Sequence, residues 1–91
     1  MSDPRRRPEL TFEEIEETGE LIVVDPATEK ATVLNPTAAE IWLLCDGSRD
    51  AAALASALAE LLAGGAPSLS KLTADVSACL DSLRAEGLLE G

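Results

Sequence analysis

Residues 34–47, LNPTAAEIWLLCDG, hold a complete helix together with its start and stop signals. Asn35 or Thr37 can accept a hydrogen bond from the free N–H groups of a first turn, and Pro36 fits a first-turn position that needs no donor. Ala38, Ile41, Trp42 and Cys45 recur at helical spacing and make one apolar stripe. Asp46-Gly47 then suits a C-terminal turn in which glycine takes a positive φ without steric cost.

Upstream, residues 21–25 (LIVVD) form a β-branched and aliphatic run that stops at the turn-initiating pair Asp25-Pro26. Residues 31–34 (ATVL) are again β-prone, so the two runs predict an antiparallel hairpin with a loop of about five residues. Residues 11–18 (TFEEIEET) read two ways. Thr11 with Glu14 mimics a helix capping box, while Phe12 and Ile15 do not alternate as a good strand should. A strand is taken here, with a short helix as the alternative. Residues 1–9 carry Ser, Asp, two prolines and Arg5-Arg6-Arg7, with Met1 as the single apolar residue. They predict a disordered, solvated arm, and the folded domain is placed at residues 10–91.

Downstream, Asp50 can cap a second helix with the stripe Ala51, Leu54, Ala55, Leu58, Leu61 and Leu62, ended by Gly64-Gly65 and Pro67. A third helix starts at Ser68 or Ser70, shows Leu69, Leu72, Val76, Cys79 or Leu80, and Leu83 on one face, and closes at Gly87. The expected class is α+β: a small antiparallel sheet of two or three strands followed by three helices folded over one face, in a winged helix-turn-helix-like arrangement.

The chemistry available is narrow. At 91 residues the chain buries about 60–65% of its unfolded surface, enough for one small core. With no histidine and no tyrosine, a Ser-His or Cys-His nucleophile is unavailable, and neither Cys45 nor Cys79 has a basic neighbour in sequence to lower its pKa. The two cysteines stand too far apart for a CxxC motif, and no glycine-rich phosphate loop is present, so no enzyme, cofactor or metal site is expected. Each cysteine falls where a helix would bury it as a reduced thiol. Together with the absence of a secretory h-region, this predicts a cytoplasmic protein. No run of about 18 apolar residues is present to span a membrane.

A net charge of −10 repels nucleic acid, and the third helix, which would be the recognition helix of a DNA-binding protein, holds only Lys71 and Arg84 as cations. The acidic run at residues 13–20 reads as a solvated edge that discourages sheet-to-sheet aggregation. What remains is a binding module: a short strand edge beside a helix accepts an extended peptide by strand addition.

The elements that carry Leu34-Asn35, Thr37-Ala38-Ala39, Ile41-Trp42, residues 44–47, and Asp75-Val76 through Gly87-Leu88 resemble the PqqD family of peptide chaperones, the founding group of RiPP recognition elements. The resemblance spans about residues 21–89. It implies three strands followed by three helices, no catalysis, and binding of the leader part of a ribosomally made precursor peptide. The leader would add as a strand beside the third strand, lie against the third helix, and be delivered to a modifying enzyme, a radical SAM enzyme in the founding quinone cofactor pathway.

Carried onto this chain, the resemblance implies main-chain bonding by Ala31, Thr32, Val33 and Leu34, and a groove wall from Asp75, Cys79, Ser82, Leu83 and Glu86. Leu34, Ile41, Trp42 and Leu44 become scaffold, while Asn35, Thr37, Asp46 and Gly47 cap and turn the chain. Two other readings stay open: a winged-helix transcription factor, and a structural domain that forms a homodimer through the same strand edge.

Overall fold

The computed structural model of the protein describes residues 3–62 and 68–90, with the side chain of Leu62 excepted. The expected helix stop at Gly64-Gly65 and Pro67, and the place of Leu62 in its stripe, lie outside the described residues. In chain order the elements are β1 (Arg5–Arg6), β2 (Thr11–Ile15), β3 (Glu20–Asp25), β4 (Lys30–Leu34), α1 (Pro36–Leu44), α2 (Ala51–Leu62), α3 (Leu69–Ala85) and β5 (Leu89–Glu90).

The ambiguous segment is a strand. β2, β3 and β4 form an antiparallel sheet in that order, with Phe12, Val23 and Thr32 in one row and Glu14, Leu21 and Leu34 in another. Directly opposed residues share a face, so these two rows face α1, where Leu21 and Val23 are buried. Val33 sits in the row of Glu13 and Ile22 on the other face and is 57% exposed. The hairpin turn is the Asp25-Pro26 turn, in which Asp25 Oδ1 accepts from Ala27 N at 2.9 Å and Asp25 O from Glu29 N at 2.7 Å.

Each helix begins at a side-chain cap that satisfies first-turn donors. Asn35 Oδ1 accepts from Ala38 N at 2.8 Å with Pro36 leading the helix, Asp50 Oδ1 from Ala53 N at 2.8 Å, and Ser68 Oγ from Lys71 N at 3.4 Å. Gly47 and Gly87 take φ of 87° and 76°, the left-handed turn that each helix exit requires.

The core joins Leu21, Val23 and Leu34 of the sheet to Ile41, Trp42 and Cys45, to Leu54, Ala55 and Leu58, and to Leu72, Val76, Leu80 and Leu83. Leu61 and Leu69, both expected on the apolar stripes, are more than half exposed. They lie on the last turn of α2 and the first turn of α3, beyond the reach of the core. Cys79 is half-buried and Leu80 takes the core position.

Residues 3–9 depart from the solvated arm expected over residues 1–9. Arg5 and Arg6 form β1, which pairs antiparallel with β5 near the C-terminus: Arg5 opposite Glu90 and Arg6 opposite Leu89. Arg6 N donates to Cys45 O at 2.9 Å, Gly47 N donates to Pro4 O at 3.1 Å, and Arg7 N donates to Leu88 O at 3.4 Å. Backbone groups, which composition does not count, fasten this segment. No described helix is long and apolar enough to cross a membrane.

Candidate functional site

β4 ends the sheet, so one side of it has no strand partner among the described residues. Alternate residues of such an edge direct N–H and C=O groups outward, which is a template for another strand. The four residues expected to bond a peptide through the main chain belong to this strand, and alternate ones can direct their groups to its free side: Ala31 and Val33 are exposed, Thr32 is half-buried, and Leu34 is a core residue.

The opposite wall is α3. Asp75, Cys79, Ser82 and Glu86 are spaced by four, three and four residues, which places them on one helical face. Asp75, Ser82 and Glu86 are exposed and Cys79 is half-buried. Leu83, expected on this wall, is 2% exposed and belongs to the core beneath it. The sequence spacing puts Leu83 one turn from Cys79, but the helix is rotated so that Leu83 follows Val76 and Leu80 inward.

Two features mark how β4 and α3 lie. Lys30 Nζ stands 3.1 Å from Glu86 Oε2, so the start of the strand meets the end of the helix. Beyond the other end of β4, a cavity of about 190 Å³ is lined by Asn35, Ala38 and Ile41 from one side and Leu72, Val76 and Cys79 from the other. The four steps from Lys30 to Leu34 span about 13 Å at ~3.3 Å each, and the eleven steps from Asp75 to Glu86 span about 16 Å at 1.5 Å each. The candidate site is the free edge of β4 beside α3, with the Lys30–Glu86 ion pair at one end and the apolar cavity beyond the other.

Its electrostatics are acidic but screened. Lys71 lies 3.9 Å from Asp75 and both are exposed, as are Lys30 and Glu86, so these pairs hold little energy. Burial pushes the Cys79 thiol up, and burial followed by the nearby Cys79 raises Cys45 to about 11. Both are protonated at neutral pH and are poor nucleophiles there. Among the described residues no group of His, Cys, Asp or Glu could hold a metal ion.

Sequence reasoning missed Lys30 at the closed end and the contributions of Ala38, Ile41, Leu72 and Val76 to the cavity. Spacing marks Ala38, Ile41, Leu72 and Val76 as apolar stripe residues but does not say which of them line a hollow between helices.

The family model for coenzyme PQQ synthesis protein D matches residues 20–89. No curated protein is significantly similar to the chain in sequence. Two solved structures share its fold. TbiB1, in complex with the TbiA(beta) leader peptide, is 17% identical with a TM-score of 0.76, covering 96% of this chain and 95% of its own. A lasso peptide synthetase B1 complexed with the leader peptide is 21% identical, also at a TM-score of 0.76, covering 98% of this chain and 99% of its own. With the matched stretch running from the first residue of β3 to the first of β5, the chain belongs to the PqqD family, that of coenzyme PQQ synthesis protein D.

Proposed function

We propose that this protein is a non-catalytic peptide chaperone that binds the leader of a ribosomally made precursor peptide and presents it to a modifying enzyme, of the radical SAM type if it serves the founding pathway. The observation that carries this is the free edge of β4, which has no strand partner among the described residues and meets the end of α3 through the Lys30–Glu86 ion pair. The leader lies along Ala31, Thr32, Val33 and Leu34 as a fourth strand, with Asp75, Cys79, Ser82 and Glu86 as its far wall. Main-chain bonds contribute affinity without sequence preference, each about 0.5–1.5 kcal/mol net. Register comes from the cavity, where one apolar leader side chain removes its surface from water. The two solved structures of the same fold hold leader peptides, which supports the reading.

The test is an amide chemical-shift titration of labelled protein with the leader encoded beside its gene. Shifts confined to residues 31–34 and 75–86 are expected; a saturable titration that leaves both segments unmoved would refute strand addition at β4. A transcription-factor reading is disfavoured by the net charge of −10. In a homodimer paired through β4, added leader would lower the dimer fraction seen by light scattering.

A further inference from the structure

The structure holds a second cavity, of about 280 Å³, at the other edge of the sheet, where β1 and β2 meet the end of α1. Arg5, Arg6 and Arg7 line it together with Phe12 and Trp42. Three of the chain's seven basic residues therefore surround one hollow in a protein with 17 acidic residues.

Their engagement differs. Arg5 lies 3.7 Å from Glu90, and Arg7 donates to Glu9 at 2.6 Å and to Gly87 O at 2.8 Å. Lys30, Arg49, Lys71 and Arg84 also each have a carboxylate within 4 Å. Arg6 is the one cation among the described residues with no carboxylate partner. Its guanidinium sits instead 5.4 Å from the Trp42 ring centroid and 5.9 Å from that of Phe12, and those two rings meet edge-to-face at 5.3 Å. The aromatic rings hold the guanidinium in place, and Phe12 is 48% exposed beside it. Asp46 also lines the hollow, but its carboxylate accepts from Ser48 and pairs with Arg49 at 3.0 Å.

We propose that this cavity is a second docking site, which takes a glutamate or aspartate side chain flanked by an apolar residue from the surface of the enzyme that receives the peptide. A guanidinium stays charged at all working pH values and presents a planar fork that matches a carboxylate. The exposed ring of Phe12 offers the apolar neighbour its surface. The assignment of the partner rests on the peptide-chaperone reading, because a carrier whose β4 edge is filled must meet its enzyme elsewhere. β2 and β4 are separated by two strand spacings, about 10 Å, so both sites can be occupied together.

Trp42 is the only tryptophan and tyrosine is absent, so intrinsic fluorescence comes from one buried ring that lines this cavity. The probes are acetyl-Leu-Glu-Leu-amide and its glutamine counterpart, titrated into the full-length protein without leader and followed by Trp42 emission and amide shifts. The glutamate peptide is expected to move Arg6, Phe12 and Trp42 saturably, about tenfold or more tightly than the glutamine peptide. Arg6→Gln, which keeps the backbone bond to Cys45, should erase that difference while leaving leader shifts at residues 31–34 intact. Equal affinity for the two peptides, no binding of either, an unchanged preference in Arg6→Gln, or displacement by saturating leader would each overturn the proposal. Failure of the leader titration alone would instead remove the chaperone reading and leave the carboxylate site standing.

Discussion

Replacing Cys79 with phenylalanine should block the leader site at its apolar end. Cys79 is half-buried on the cavity wall, next to Val76 and across from Ala38 and Ile41. A phenyl ring there fills the space that an apolar leader side chain would occupy. Full burial of such a side chain contributes about 1.5–3 kcal/mol, so its loss weakens binding about 10- to 150-fold. Cys79→Ser leaves the hole open and should bind within about threefold of the parent. Fluorescence anisotropy of a labelled leader gives the affinities. Thermal unfolding supplies the control, since overpacking that reached the core would cost about 1–3 kcal/mol and lower Tm by several degrees. A folded Cys79→Phe protein that binds leader within about twofold of the parent would refute the cavity as the register pocket.

The cap on α1 is open to the same kind of measurement: Asn35→Ala removes the acceptor for Ala38 N and should cost about 0.5–2 kcal/mol in denaturant unfolding, with an unchanged midpoint counting against the cap. In native-state thiol labelling at neutral pH, half-buried Cys79 should react before buried Cys45, and saturating leader should slow Cys79 alone; protection of neither would place the peptide elsewhere. At higher pH, the sign for Cys45 follows from its raised pKa: the unfolded thiol ionises near its ordinary value of 9 while the folded one holds its proton to about 11, so stability declines between those values. Cys45→Ala should flatten that decline, and an equally steep alkaline loss in the variant would assign it to other groups. Leader affinity should fall modestly from low to physiological salt, because the charges at the site are exposed and screened within about 8–10 Å; a salt-independent constant would remove the electrostatic contribution.

How legible each part was depends on whether its cause is local. The Asn35 cap, the Asp25-Pro26 turn and the Gly47 and Gly87 exits are short-range arrangements of polar and glycine residues, and each stands where the sequence placed it. The strand character of residues 11–15 was ambiguous because Glu14 faces the same side as Leu21, so β2 lacks the apolar alternation of a half-buried strand. β1 and β5 were not anticipated. Two-residue strands from opposite ends of the chain carry no periodicity, and what joins them is main-chain bonding between sequence-distant residues. At the candidate site, the family resemblance offered Asp75, Cys79, Ser82, Leu83 and Glu86 as one wall; four of them share a face of α3, while Leu83 is buried, because its placement depended on the rotation of α3 about its axis. That rotation is set by packing of Val76 and Leu80 against the other helices, a tertiary quantity.

Helix α1 ties the two proposed sites together and also keeps them apart. Ile41 lines the leader cavity and the next residue, Trp42, lines the arginine cavity, so consecutive side chains of one helix face different hollows. Coupling between the sites would require α1 to shift or turn. Both of its ends are held: Asn35 caps the first turn, Cys45 N donates to Trp42 O at 3.1 Å, and Arg49 Nη1 donates to Leu44 O at 3.0 Å. Trp42 Nε1 further donates to Leu88 O at 3.1 Å, fixing the buried ring against the segment that leads into β5. A helix anchored at these points transmits little movement, and a ligand shifts an equilibrium only when two arrangements differ in their affinity for it. The sites should therefore fill independently, which suits a carrier that must hold its peptide while it docks.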